Sequence, residues 1–110
     1  SQTGAPIMAA FDLLGRRWAM GIIWNLSKGP ATFRGLQGAC ESISPSILNS
    51  RLKDLKEARL VERSLEGYVL TPKGEELFAL LKPLGEWSIQ WAKAVSNDTA
   101  IDWDEYGEKR

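Results

Sequence analysis

The stretch from Ile43 to Arg63, ISPSILNSRLKDLKEARLVER, constrains this chain more than any other. Ser44 is a good N-cap, because its hydroxyl can accept from an unpaired N–H of the first helical turn. Pro45 follows at the first helical position, where a missing N–H costs nothing. Leu48, Leu52 and Leu55 then recur at helical spacing, so one face is apolar. At about 100° per residue, Ser46, Asn49, Ser50, Lys53 and Glu57 fall on the opposite face. That outer face opens with short hydrogen-bonding groups instead of long solvated charges. Short polar side chains allow close approach to a surface rich in donors and acceptors, such as the edge of a DNA major groove. An ordinary amphipathic helix with a serine-rich start fits the same pattern, so the flanks must decide.

On the N-terminal side, Ala5 to Leu14 reads as a short helix with Ile7, Met8, Phe11 and Leu14 on one side, broken at Gly15. Arg16 to Leu26 carries Trp18, Ile22, Ile23 and Leu26 and is apolar over much of its circumference, as a central helix would be. Gly29-Pro30 ends it. Thr32 can cap a third helix with Phe33, Leu36 and Cys40 as its buried stripe, and Glu41-Ser42 forms the turn before the Ser44 helix. Two short helices, a tight connection and a helix with a small polar outer face make a helix-turn-helix pattern.

On the C-terminal side, Val61–Leu65 and Tyr68–Thr71 read as two short strands around a Glu66-Gly67 turn. A hairpin directly after a recognition helix is a wing, which would bring Arg63 and Tyr68 near a DNA backbone; Tyr68 reads equally as a packing aromatic. Thr71-Pro72 repeats the cap-then-proline signal and restarts a helix. Leu77, Leu80, Leu84, Trp87 and Trp91 then step by three, four, three and four, a seam like that of a coiled coil. Pro83 lies inside this helix and is expected to kink it. The seam reads as a dimerisation surface that Phe11 and Trp18 could share, or as a face folded back on the first helices. After Ser96 the tail is acidic, with Trp103 and Tyr106 as its aromatic anchors.

Composition narrows the functions. A chain of 110 residues is expected to form one domain, with 44% apolar and 25% charged residues typical of a globular protein. There is no histidine, which removes Ser-His-Asp and Cys-His nucleophiles and most zinc sites. The lone cysteine, Cys40, excludes an internal disulfide, fits a reducing cytoplasm and reads as a small core hydrophobe. No apolar run reaches the roughly 20 residues of a membrane span, and no signal peptide is visible. Net charge is zero, yet residues 16–82 hold 11 Lys/Arg against 7 Asp/Glu, and residues 83–110 hold 3 against 6. A modestly basic middle predicts moderate phosphate attraction per chain, which a dimer would double.

The order of parts resembles the HxlR family of bacterial winged-helix transcriptional regulators, relatives of the MarR type. The motifs that carry the resemblance are Gly15-Arg16-Arg17-Trp18; Gly29-Pro30 with Phe33 and Leu36; Ile43-Ser44-Pro45 with Leu48, Arg51-Leu52 and Leu55; Leu60-Val61-Glu62-Arg63; and Leu70-Thr71 with Gly74 and Trp87. They run in order from about Phe11 to Trp91. The resemblance implies a mainly α fold with a small β-hairpin, and a homodimer gripping double-stranded DNA at a pseudo-palindromic operator. By matching position, Ser44, Ser46, Asn49, Ser50, Arg51 and Lys53 are its candidate DNA contacts. Arg51, on the flank of the apolar face, can grip either a phosphate or an internal carboxylate. The wing is short for the family. Redox-responsive members carry a cysteine near the N-terminus; this chain has none there, so thiol sensing of that kind is not expected.

The chain is thus expected to be one winged-helix domain over 1–110. Its parts are an N-terminal helix 5–14, core helices 16–60 with recognition helix Ser44–Leu60, a wing 61–71, a dimerisation helix 72–95 and an acidic tail 96–110. The expected function is cytoplasmic, non-enzymatic DNA binding without cofactor or metal. Arg63 joins the DNA contacts, and Phe11, Trp18, Leu77, Leu80, Leu84, Trp87 and Trp91 form the dimer surface or line the pocket of a small-molecule effector. The alternative is a winged-helix ligand-sensing or protein-interaction module with weak or no DNA binding.

Overall fold

The computed structural model describes residues 4–41 and 43–98. The acidic tail beyond Asp98, with Trp103 and Tyr106, and the turn residue Ser42 lie outside the described residues. In chain order the elements are α1 (Pro6–Leu14), α2 (Ala19–Leu26), α3 (Phe33–Ala39), α4 (Pro45–Glu57), β1 (Val61–Ser64), β2 (Gly67–Leu70) and α5 (Pro72–Asp98).

Local signals start three of the helices. The Thr32 hydroxyl accepts from Gly35 N–H at 3.0 Å, the Ser44 hydroxyl from Ile47 N–H at 3.2 Å, and the Thr71 hydroxyl from Gly74 N–H at 3.1 Å. Each satisfies a donor of the first turn that has no intrahelical partner.

Three helix boundaries differ from the expected ones by more than one residue: α5 runs on to Asp98, past the expected end at 95, and the other two have a visible local cause. The second helix begins at Ala19 instead of Arg16, because Trp18 adopts the left-handed conformation, φ 76°. Arg16, Arg17 and Trp18 therefore form an elbow between α1 and α2. The recognition helix ends at Glu57, not Leu60. Arg59 takes φ 61°, Leu60 N–H donates to the Leu55 carbonyl and Arg59 N–H to that of Lys56, the two bonds of a Schellman stop.

The core is one cluster drawn from α2, α3, α4 and the hairpin. Ile22, Ile23, Leu36, Leu48, Leu52 and Leu55 are wholly buried. Each such side chain stabilises the fold by roughly 1.5–3 kcal/mol relative to exposure. Cys40 belongs to this cluster. On α5, Leu77, Phe78 and Leu81 pack against it, and the Phe78 ring meets Trp24 of α2 edge-on at 5.2 Å. The helix continues through Pro83 as one element to Asp98. Gly85 permits the close α2–α5 approach, since a Cβ there would stand 2.5 Å from the Trp24 indole.

Candidate nucleic-acid interface

Burial of Leu48, Leu52 and Leu55 fixes the rotation of α4, and the opposite side therefore faces solvent. Ser46, Asn49, Ser50, Lys53, Lys56 and Glu57 are exposed. With Leu52 and Tyr68 they line an open groove of about 720 Å³ between α4 and the wing. Short hydroxyl and amide groups stand at its N-terminal end and two lysines farther along. Ser44 is partly buried and its hydroxyl is already engaged as the cap, 3.3 Å from that of Ser46. Lys56 was not among the residues singled out from sequence. Its spacing of three from Lys53 on the outer face was the available signal.

The wing is an antiparallel pair with Val61 opposite Leu70, Glu62 opposite Val69, Arg63 opposite Tyr68 and Ser64 opposite Gly67. Its turn is Leu65-Glu66, one residue earlier than the expected Glu66-Gly67. The Ser64 hydroxyl closes it, donating to the Gly67 carbonyl and accepting from Glu66 N–H. Gly67 instead opens β2 at φ 121°, lying so close to Ala31 that a Cβ would sit 2.5 Å from its carbonyl oxygen. Tyr68 is the packing aromatic: it is buried, and its backbone exchanges two hydrogen bonds with Ala31. The exposed Arg63 guanidinium lies over its ring, 5.2 Å from the centroid.

Arg51 takes the internal carboxylate. Its Nη1 stands 2.7 Å from Asp54 Oδ2, and its Nε donates to the Arg17 carbonyl at 3.0 Å. Arg16 Nη1 reaches the same Oδ2 at 2.9 Å. Burial pushes the Asp54 carboxyl up, but hydrogen bonds and charge from Arg16 and Arg51 outweigh this and hold it below the usual range. Of the two partners that its position allowed, phosphate or internal carboxylate, Arg51 holds the carboxylate in this structure. The i, i+3 spacing of Arg51 and Asp54 was the sequence signal for it.

The expected dimer residues divide. Phe11, Leu80, Leu84, Trp87 and Trp91 are exposed, with Ile7 and Ile89 alongside them on α1 and α5. Trp87 and Trp91 stack with centroids 5.5 Å apart. Trp18 does not lie on that surface: only 9% exposed, it packs in this chain's own core with Ile22, Ile23 and Leu26, the stripe it shares in sequence. Leu77 is likewise half-buried against the core. The concavity on this side, about 430 Å³, is lined by Met20, Trp24, Leu81, Leu84, Gly85 and Ser88. Trp24 therefore stands where Trp18 was expected. Among the described residues no cluster of His, Cys, Asp and Glu could hold a metal ion, and no helix is long and apolar enough to cross a membrane.

A capped helix presenting a small polar face, preceded by a short helix and followed by a two-stranded hairpin, defines a winged helix-turn-helix protein. The chain belongs to the HxlR family of transcriptional regulators, whose HxlR-like helix-turn-helix model matches residues 13–96. The HTH-type transcriptional regulator YodB of Bacillus subtilis is 35% identical over 92 residues, covering 77% of this chain and 82% of YodB. The solved structure of quinone-bound YodB superposes with a TM-score of 0.70 at 39% identity, over 78% of this chain and 98% of that one. A structure described as a possible HxlR family transcriptional factor from Thermoplasma volcanium matches with a TM-score of 0.68 at 32% identity, over 84% of this chain and 86% of the other. These relatives are regulators of transcription, not enzymes.

Proposed function

We propose that this regulator reads double-stranded DNA as a homodimer, laying α4 of each protomer into the major groove of one half of a pseudo-palindromic operator. The observation that carries the reading is the division of α4: Leu48, Leu52 and Leu55 are buried, while Ser46, Asn49, Ser50, Lys53 and Lys56 are exposed along one groove. Asn49 suits an adenine edge, and Ser46 and Ser50 can donate to or accept from either base type. Lys53, Lys56 and Arg63 neutralise phosphates and set the register. Two such helices address half-sites about 34–36 Å apart.

The exposed apolar residues of α1 and α5 support dimerisation, since Phe11, Leu80, Leu84, Trp87 and Trp91 would otherwise face water. A small apolar effector would enter the concavity beside Trp24, at the edge of that surface. The protein would act in the cytoplasm, where its DNA is.

The test is selection of bound fragments from genomic DNA, followed by gel shifts across a salt series. Lys53→Ala should weaken binding to every retained fragment and flatten the log–log salt slope by roughly 1.8, one phosphate for each of the two protomers. Asn49→Ala should relax preference at one base pair of each half-site, by about 1–3 kcal/mol apiece. Light scattering of Leu84→Asp/Trp87→Asp should give a monomer from a dimeric parent. Salt-independent retention, or no effect of Lys53→Ala, would reject the DNA reading in favour of a ligand-sensing or protein-interaction module.

A further inference from the structure

Asp54 lies outside the reading face yet ties that helix to a distant part of the chain. Its Oδ2 accepts from Arg16 at 2.9 Å and from Arg51 at 2.7 Å. Arg51 also donates to the carbonyl of Arg17, 34 residues earlier in sequence. Two contacts, Arg16 to Asp54 and Arg51 to the Arg17 carbonyl, thus join the middle of α4 to the elbow between α1 and α2, and the Arg51–Asp54 pair within α4 ties them together. The side chains of Asp54 and Arg51 are about one-fifth exposed, that of Arg16 about one-half. None of the three is sealed from solvent, so a released guanidinium could reach a neighbouring phosphate.

We infer that Asp54 is a specificity-determining residue of this regulator: by clamping Arg16 and Arg51 it keeps two cations off DNA phosphates and holds α4 at a fixed angle to the α1–α2 elbow. The inference rests on the DNA-reading function proposed above. Phosphate contacts carry no sequence information, whereas base contacts need a well-placed helix. Arg51 sits directly beside Ser50 and two residues from Asn49 and Lys53. Set free there, it would attract any duplex, while the helix bearing Asn49 would lose its tether. Both effects reduce discrimination, and one carboxylate opposes both.

The test compares Asp54→Asn with the parent on two probes: a duplex selected by the parent from a random-sequence pool, and poly(dI-dC). The expected result on poly(dI-dC) is tighter binding with a salt slope steeper by roughly 1.8–3.6, one to two more phosphates for each protomer of the dimer. The ratio of selected-site to poly(dI-dC) affinity should fall about tenfold or more, the scale of one disturbed base contact. Adding Arg16→Gln to Asp54→Asn should return roughly half of the extra slope. Glu86→Gln, an equal charge change on α5, should leave the ratio as it was. Should Asp54→Asn not fold, Arg16→Gln alone remains decisive: a guanidinium already held inward leaves the slope almost unchanged, whereas one resting on phosphate in each protomer would flatten it by about 1.8. An unaltered slope and ratio in folded Asp54→Asn would overturn the inference while Lys53→Ala still weakens binding. A parent that retains no duplex would overturn the DNA reading itself.

Discussion

Gly67→Ala should be among the most damaging single-methyl additions in this fold. Gly67 has φ 121°, a conformation that disfavours any side chain, and the added Cβ would meet backbone atoms: Ala31 O at 2.5 Å, Ala31 C at 2.7 Å and Thr32 N at 3.0 Å. No side-chain rotation relieves a backbone contact, so the hairpin must move away from the segment before α3. The strained conformation contributes roughly 1–3 kcal/mol. Movement also breaks the Tyr68 N–H to Ala31 O bond at 2.7 Å and the Ala31 N–H to Tyr68 O bond at 3.0 Å. At about 0.5–1.5 kcal/mol each, the whole loss is about 2–6 kcal/mol. Urea unfolding at one fixed protein concentration measures it, the concentration being held because an oligomer's stability depends on it. Gly38→Ala is the matched control. It lies within α3, and its added Cβ would meet nothing within 4 Å. The same methyl there should stabilise the protein by roughly 0.5–1 kcal/mol. Should Gly67→Ala unfold within about 0.5 kcal/mol of its parent, the tight wing–α3 contact is not what holds the hairpin. Arg63 stands over the Tyr68 ring, so the same substitution should also weaken DNA binding.

Leu55→Ala, at a wholly buried position of α4, should cost about 2–5 kcal/mol in the same urea assay, and a loss below 1 would contradict its place in the core. The Asp54 carboxyl is held below its ordinary range, so the native state binds that proton less readily than the unfolded chain. Its stabilising contribution is therefore present above the unfolded value of about 3.9 and lost as pH falls below it. The stability gap between parent and Asp54→Asn should accordingly narrow on acidification below about pH 4, and a gap that widened there would reverse the sign of the argument. Burial pushes the Cys40 thiol up, so iodoacetamide at pH 8 should label it slowly in the native protein and quickly in urea; equal rates would show the site to be open. The sign for stability follows: the neutral thiol favours the native state below roughly pH 8.5, and this is lost as pH rises through the range where the unfolded chain ionises.

Signals that act within one or two helical turns were legible in the sequence. Ser44, Thr32 and Thr71 each sit where a hydroxyl can satisfy an N–H three residues on, and each does so. Leu48, Leu52 and Leu55 set the buried side of α4 by spacing alone, and with it the outward side that bears Ser46, Asn49, Ser50 and Lys53. What the sequence left open was settled by contacts between distant segments. Arg51 had a phosphate and a carboxylate as rival partners, and Arg17, whose carbonyl accepts from it, and Arg16, which shares its Asp54, come near only across the folded molecule. Trp18 fitted both the apolar stripe of Ile22, Ile23 and Leu26 and a dimer surface shared with Phe11, and folding buries it with the stripe. Tyr68 became a core residue through its pairing with Ala31, and Trp24 came to line a concavity through the passage of α5 at Gly85. Caps and periodicities depend on neighbours three or four residues away, so the chain specifies them by itself. The partner of a long or aromatic side chain depends on which remote atoms folding brings within 3–5 Å, and only the assembled tertiary structure contains that information.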